Sequence, residues 1–154
     1  MSSSDDAPEE APGAAAPKPL IKNVTLRWTG EGMHFEGGPA GVPPSVVDGK
    51  SKAGPSPTDH LLLAAAGCMG SDVIDILSKS RVLVESLEVQ VEGRRAEKPP
   101  RRFVSIAMSF RLRGPTSADR PKVERAVNLS RETYCSVLHT LSPDLDLVFE
   151  VHLD

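Results

Sequence analysis

The start of a long helix is encoded by residues 56–69, which read SPTDHLLLAAAGCM. Ser56 is a favourable N-cap residue, Pro57 suits the first helical position, and the carboxylate of Asp59 can reach back to the Ser56 amide. The nine residues from Leu61 to Met69 are apolar on every side of this helix. Because a helix of that kind is normally enclosed by other elements, we predict a buried central helix that ends near residue 80.

Strands are predicted on both sides of the helix, because apolar and polar residues alternate there with a period of two. Before the helix, the pattern indicates a β-hairpin over residues 24–36 and a short third strand over 45–48. After it, strands are predicted over 87–92, 104–112 and 145–153, with a second helix between the last two. This order is typical of an α+β fold with mainly antiparallel sheets.

The second predicted helix carries the second cysteine. Asp119 is its expected cap, Pro121 falls in its first turn, and Ser142 and Pro143 end it. Cys135 lies close to its inner face, so we expect this thiol to point towards the core. That face is marked at helical spacing by Val123, Val127, Ser130, Tyr134 and Leu138.

The composition predicts one folded domain preceded by a tail. The chain has 154 residues, within the usual size of one domain. Residues 1–19 hold four acids, one base and four prolines, and we expect them to be disordered. Without the tail, the totals of 21 acids and 18 bases fall to 17 of each, so the domain over residues 20–154 is neutral. A nucleic-acid-binding domain normally carries a basic excess, and we therefore expect no nucleic-acid partner.

Neither a membrane protein nor a secreted one is predicted. The longest uncharged apolar run has nine residues, whereas a membrane span needs about 20. The acidic, proline-containing N-terminus lacks the basic and apolar regions of a signal peptide, and two cysteines do not make a disulfide scaffold. We expect a cytoplasmic protein with no membrane partner.

Familiar cofactor and metal motifs are absent from the sequence. Residues 49–51 resemble the end of a phosphate-binding loop, but Pro44 stands where the first glycine of that loop is required. The four histidines are scattered, and none has a partner at metal-ligand spacing. There is no Gly-x-Ser-x-Gly motif of a serine hydrolase. We expect neither a cofactor nor a metal ion.

The two cysteines are the remaining candidates for chemistry. Cys68 and Cys135 are 67 residues apart, far from the spacing of a Cys-x-x-Cys motif. Free cysteine is among the most buried residue types, so one interpretation is a pair of inert core thiols that serve packing alone. The other interpretation is a reactive pair, in which the thiolate of one cysteine acts as nucleophile.

A reactive Cys68 would need a cation from elsewhere in the fold. Asp72 and Asp75 lie on the same helical face as Cys68, and their negative charges disfavour a thiolate. The candidate cations are Arg27 on the first hairpin and the basic link over residues 94–102. Asp72 could hold such an arginine in place.

Two stretches around the cysteines resemble the OsmC/Ohr family, the osmotically inducible and organic-hydroperoxide-resistance proteins. Residues 54–68, GPSPTDHLLLAAAGC, with Asp72 four residues further on, are similar to the first-cysteine helix of that family. Residues 123–130, VERAVNLS, followed by residues 134–137, YCSV, are similar to its second-cysteine helix. The resemblance covers roughly residues 22–153, and the two motifs occur in the family's order.

The resemblance implies an intertwined homodimer in which two β-sheets wrap paired central helices, with an active site between the subunits. It also implies thiol-dependent reduction of organic hydroperoxides in defence against oxidative stress. In that scheme Cys68 attacks the peroxide and becomes a sulfenic acid, and Cys135 condenses with it to form a disulfide. A cellular dithiol then restores both thiols.

One position departs from the peroxidases of the family. They carry a glutamate ten residues before the first cysteine, hydrogen-bonded to an activating arginine, and Thr58 occupies that place here. Asp59 is one residue further on and already has a role as the expected capping acid. The chain therefore looks closer to an OsmC-like branch with a Gly-Pro-Ser-Pro loop. The alternative to an enzyme is a non-catalytic dimer that binds a small apolar ligand or acts as a redox-sensitive partner.

Overall fold

The computed structural model describes residues 20–154, and the predicted disordered tail, residues 1–19, lies outside the described part. The described residues form six strands, three α-helices and two short helical turns. In chain order these are β1 (Thr25–Trp28), β2 (His34–Gly38), β3 (Ser45–Asp48), α1 (Pro57–Lys79), β4 (Ser86–Arg95), β5 (Phe103–Arg113), a 3₁₀ turn (Ser117–Asp119), α2 (Arg120–Leu129), a π-helical turn (Ser130–Tyr134), α3 (Ser136–Thr140) and β6 (Asp146–Leu153). The predicted order of strands and helices is confirmed.

The strands form two three-stranded sheets. In the first sheet β1 and β3 both pair with β2 in antiparallel fashion, and Arg27 lies opposite Glu36. In the second sheet β5 is central, pairing antiparallel with β4 and parallel with β6, where Ser105 lies opposite Asp146. Parallel neighbours need a crossover connection, which α2 and α3 supply. The predicted α+β class with mainly antiparallel sheets is confirmed.

The helix α1 begins with the predicted capping box. The Asp59 amide donates to Ser56 Oγ at 3.2 Å, and the Ser56 amide donates to Asp59 Oδ2 at 2.8 Å. Pro57 occupies the first turn, where no intrahelical donor is lost. The helix runs for 23 residues to Lys79, which confirms its predicted start and end.

One face of α1 forms the centre of the core. Ala65, Met69, Val73 and Leu77, spaced four residues apart, are fully buried. Full burial of a large apolar side chain stabilises a fold by roughly 1.5–3 kcal/mol relative to leaving it exposed, so this row anchors α1 firmly. The side chains of the same cluster on β5 and α2 are Ile106, Met108, Phe110, Leu112, Val123, Ala126 and Val127.

The opposite face of α1 is not covered within one chain. Leu63 is 58% exposed, Ile74 is 41% exposed, and Gly67 has open space where a Cβ atom would lie. The prediction that the first half of α1 is enclosed on every side is therefore wrong for a single chain. The described elements cover only the face that carries the buried row.

By length and composition, α1 could cross a membrane, since an 18-residue window in it has a mean hydropathy of 1.6. The core helix of a soluble protein passes the same test. Only 22% of that window is buried within the described chain, so most of this apolar helix is accessible to solvent in one copy. The expectation of no membrane partner stays a prediction.

The second predicted helix is broken into separate pieces. α2 ends at Leu129, the π-helical turn follows, and Cys135 has an extended backbone (φ −69°, ψ 93°) before α3 begins. The Cys135 amide donates to the Ser130 carbonyl at 2.8 Å, a bond that spans five residues instead of four. Each extra residue rotates the side chains by about 100° around the helix axis. Tyr134, predicted on the inner face, is therefore 57% exposed.

The start of α2 also differs from the prediction. Thr116 and Asp119 form a capping pair one turn earlier, with the Thr116 amide and hydroxyl donating to Asp119 Oδ2 at 3.1 and 2.9 Å. Asp119 is the N-cap residue of α2 by position, as predicted, but its side chain makes no cap bond to that helix. Its carboxylate instead accepts hydrogen bonds from Thr116, at the start of the 3₁₀ turn. Pro121 lies in the first turn, as predicted.

Candidate active site

The two cysteines, 67 residues apart in the chain, meet between α1 and α3. Cys68 lies in the middle of α1 and is half-buried, whereas Cys135 is fully buried. The Sγ atom of Cys68 lies 3.9 Å from Ser136 Oγ, and the Cys68 and Cys135 thiols lie close enough to shift each other's pKa. The fold therefore places both sulfur atoms in one small site.

The break between the π-helical turn and α3 is what directs Cys135 to this site. Its amide donates to the Ser130 carbonyl at 2.8 Å, and its Sγ atom accepts the Leu138 amide at 3.5 Å. Cys135 thus acts as the N-cap residue of α3. The backbone on both sides of the thiol is held by hydrogen bonds, which limits where its sulfur can point.

The surroundings of Cys68 favour its thiolate. Burial raises the pKa of the Cys68 thiol, but hydrogen bonding by the Val137 amide, the Cys135 thiol and the Ser136 hydroxyl outweighs burial and leaves that pKa below its usual value. The negative charge of Asp72 opposes the effect. Hydrogen-bond donors therefore stabilise the thiolate within one chain.

The surroundings of Cys135 disfavour its thiolate. Burial raises the pKa of the Cys135 thiol to about 11, and the hydrogen bond to Cys68 together with the negative charge of its thiolate adds to the rise, although the Leu138 amide opposes it. At neutral pH Cys135 is thus a protonated thiol beside a sulfur atom that ionises more readily. The two cysteines are chemically unequal.

The aspartates singled out from the sequence have structural partners. Asp72 Oδ2 accepts a hydrogen bond of 2.7 Å from the hydroxyl of Ser130, so its partner is a serine rather than the arginine considered above. Asp59 Oδ2 accepts the Ser56 amide and the Ser56 hydroxyl at 2.8 and 2.7 Å. Hydrogen bonds from Ser56 hold the pKa of the Asp59 carboxyl below its usual value, as expected for a capping carboxylate. Thr58 lies within 3.0 Å of the Ser56 hydroxyl.

The candidate arginines are not brought to Cys68 in one copy of the chain. Arg27 lies on β1 at the edge of a cavity of about 490 Å³ that Trp28 and Glu36 also line. In the link between β4 and β5, Arg102 forms a salt bridge with Asp144, and the Arg101 carbonyl accepts a hydrogen bond from Arg95 Nε. Within residues 20–154, no guanidinium is among the groups with the largest effects on the pKa of Cys68.

The sequence-based reasoning missed the groups that stabilise the thiolate. Ser136 and the Val137 amide reach Cys68 only because the second helix breaks at Cys135. No proline or glycine signals this break, since residues 130–134 read SRETY. As for metal binding, residues 20–154 contain no group of three or more histidine, cysteine, aspartate or glutamate side chains placed to hold an ion.

The chain has an α+β fold in which two cysteines of unequal pKa lie between α1 and α3. A family model described as "OsmC-like protein" matches residues 48–150. Protein YhfA of Escherichia coli K12 is 41% identical over 113 residues, which cover 73% of this chain and 83% of that protein. The chain therefore belongs to the OsmC-like family.

Solved structures share the fold. A hypothetical protein from Aquifex aeolicus superposes with a TM-score of 0.77 at 27% identity, over 88% of this chain and 97% of that one. An organic hydroperoxide resistance protein, OsmC, from Legionella pneumophila superposes with a TM-score of 0.63 at 14% identity, over 88% and 99%. The predicted family and its two-sheet, α+β architecture are confirmed.

Proposed function

We propose that the protein reduces organic hydroperoxides with the Cys68 and Cys135 thiols. The observation that carries the proposal is the inequality of the two cysteines: the half-buried Cys68 has a lowered pKa, and the buried Cys135 beside it has a pKa raised to about 11. A peroxide is attacked by a thiolate, so Cys68 is the nucleophile. Cys135 keeps its proton and acts as the resolving thiol.

The proposed cycle has three steps. The Cys68 thiolate attacks the peroxide O–O bond, an alkoxide leaves and takes up a proton, and Cys68 becomes a sulfenic acid. Cys135 then attacks the Cys68 sulfur, which forms the disulfide and releases water. A cellular dithiol reduces this disulfide by thiol–disulfide exchange and is itself oxidised to a disulfide.

The working form in this proposal is a homodimer. The uncovered face of α1, with Leu63 58% exposed, and the outer residues of β1, with Trp28 60% exposed, leave large apolar side chains in contact with solvent. Exposed apolar patches of this kind mark interaction surfaces. Gly67 leaves space for the close approach of a second backbone. A second copy of the chain is also the expected source of an activating Arg27.

The dimer can be tested by placing a charge on this face. Leu63→Glu should convert the dimer into a monomer, because the carboxylate would have to be buried without a partner. Sedimentation equilibrium over a range of concentrations measures the mass. A monomeric wild-type protein would contradict the proposal of a dimer without affecting the assignment of the two thiols.

Turnover of peroxide tests the proposed activity. Consumption of cumene hydroperoxide should be measured with dithiothreitol as the dithiol, for the wild type, Cys68→Ser and Cys135→Ser. Cys68→Ser should abolish consumption above the uncatalysed rate, and Cys135→Ser should still form a sulfenic acid that a dimedone probe detects. Equal slow rates for wild type and Cys68→Ser would overturn the proposal.

A second candidate is a non-catalytic dimer that binds a small apolar ligand. It is favoured by Thr58 at the position of the family's glutamate and by an apolar cavity of about 510 Å³ lined in part by Leu62, Leu63 and Val91. Binding of an apolar fluorescent probe, equally tight in wild type and Cys68→Ser, together with no peroxide turnover, would support this alternative. In either case we propose a cytoplasmic location, where thiols are kept reduced.

A further inference from the structure

Ser130 is a buried polar residue that the proposed cycle does not use. It is fully buried at the first position of the π-helical turn, and its hydroxyl donates to Asp72 Oδ2 at 2.7 Å. The two residues are 58 positions apart in the chain. This bond therefore ties the segment that precedes Cys135 to the helix that carries Cys68.

Ser130 is connected to Cys135 as well. Its carbonyl accepts the Cys135 amide at 2.8 Å, so one residue is linked to α1 through its side chain and to Cys135 through its backbone. Asp72 is four residues after Cys68, one turn along the same face of α1. The four residues form a closed loop of contacts, because the Cys68 and Cys135 side chains meet at its other end.

The charge of Asp72 argues against a direct part in activating the thiolate. Its carboxylate raises the pKa of Cys68, which disfavours the nucleophilic form. The contribution of Asp72 to a thiol reaction must therefore come from its hydrogen bond. Asp72 borders a cavity of about 640 Å³, and the other charged or titratable groups that line it are Asp75, Lys79, Lys122, Arg125 and Tyr134.

We propose that the Asp72–Ser130 hydrogen bond is a positioning clamp that holds the Cys135 thiol against Cys68 for disulfide closure. This inference rests on the proposed function in one respect, since closure is the second step of that cycle. In the closure step the Cys135 sulfur bonds to the oxidised Cys68 sulfur, the leaving group departs from Cys68, and the Cys135 proton is released. The clamp acts on geometry, so removing it should slow closure and leave the first oxidation step in place.

The test uses an oxidant that does not depend on peroxidase activity. Diamide adds to the Cys68 thiolate, and attack by Cys135 then forms the disulfide and releases the reduced hydrazine. The rate of closure is followed by mass spectrometry as the loss of about two hydrogens. Ser130→Ala should slow closure by about tenfold or more, because proximity is lost, and should lower the equilibrium constant for disulfide formation against dithiothreitol.

Two variants of Asp72 separate the hydrogen bond from the charge. Asp72→Asn keeps an acceptor for the Ser130 hydroxyl but removes the charge, so closure should stay within about threefold of the wild-type rate. The pKa of Cys68, measured from the pH profile of iodoacetamide alkylation, should fall. Asp72→Ala removes the acceptor and should slow closure as Ser130→Ala does. If Ser130→Ala does not fold, this pair of aspartate variants still decides the question.

The matched control is Ser80→Ala. Ser80, the C-cap residue of α1, also donates a hydroxyl hydrogen bond, to the Ile76 carbonyl at 2.8 Å, but it lies 12 residues from Cys68, about 18 Å along the helix axis. Its closure rate should equal that of the wild type. Closure of Ser130→Ala or Asp72→Ala at the wild-type rate would overturn the clamp. A protein that consumes no peroxide but still closes more slowly with diamide in these variants would refute the proposed function and leave the clamp supported.

Discussion

The hydroxyl of Ser136 lies 3.9 Å from the Sγ atom of Cys68, across the gap between the first turn of α3 and the middle of α1. A short helix after a break in the chain thus presents donors to a thiol 68 residues away. Among the described residues, this arrangement stabilises a thiolate chiefly through an amide, a thiol and a hydroxyl rather than through a cation. It makes the reactivity of Cys68 depend on groups that are easy to change one at a time.

Removing the Ser136 hydroxyl should raise the pKa of Cys68. In Ser136→Ala one donor to the thiolate is lost, while the Val137 amide and the Cys135 thiol remain. Alkylation by iodoacetamide at pH 7 should slow by roughly twofold to tenfold, because only the thiolate reacts. The measurement is the pH profile of the rate. The control is Thr140→Val, which removes an exposed hydroxyl of α3 that bonds the Ser136 carbonyl and should leave the profile unchanged.

In the native protein, one thiol should react quickly with an alkylating reagent and the other slowly. Cys68 is half-buried with a lowered pKa, whereas Cys135 is fully buried with a raised one. Alkylation of Cys68 should therefore be faster by roughly 100-fold or more, since both access and thiolate fraction favour it. Timed alkylation and peptide mass spectrometry measure both rates. Two thiols that react only in denaturant would instead support the packing role considered from the sequence.

The stability of the fold should fall between about pH 9 and pH 11 because of Cys135. The pKa of its thiol in the folded state is about 11, above the value of 9.0 for a free thiol. Its contribution to stability is therefore fully present below pH 9 and is lost as the pH rises through 11. The size of the loss is on the order of 2–3 kcal/mol. Urea unfolding at both pH values should show a smaller decrease for Cys135→Ser, and an equal decrease would contradict the assignment.

Replacing Asp59 should lower the stability of the fold and leave the pKa of Cys68 unchanged. Asp59→Ala removes the carboxylate that accepts the Ser56 amide, so the free energy of unfolding at pH 7 should fall. Because the pKa of Asp59 is lowered in the folded state, this contribution is present above pH 4 and is lost as the pH falls through the folded pKa. Urea unfolding at pH 7 and pH 3 measures it. A change in the alkylation profile of Cys68 would instead assign Asp59 a supporting part in the active site.

Local patterns in the sequence were sufficient for most of the architecture. The capping box at Ser56 and Asp59 and the alternating residues of β5 act over a few residues, so they predicted a helix and a strand correctly. The break before α3 was missed because residues 130–134 carry good helical spacing. The π-helical turn there coincides with a tertiary hydrogen bond from Ser130 to Asp72, which no local pattern encodes.

By itself the sequence determined where the helix of Cys68 starts and which segments form strands, because these depend on neighbours along the chain. It also identified the two thiols as the candidates for chemistry. The tertiary structure alone decided that Cys135 faces Cys68, that Asp72 bonds a serine, and that amide and hydroxyl donors support the thiolate. The physical reason is that hydrogen bonding and burial, which set the pKa of a thiol, act through space between segments far apart in sequence.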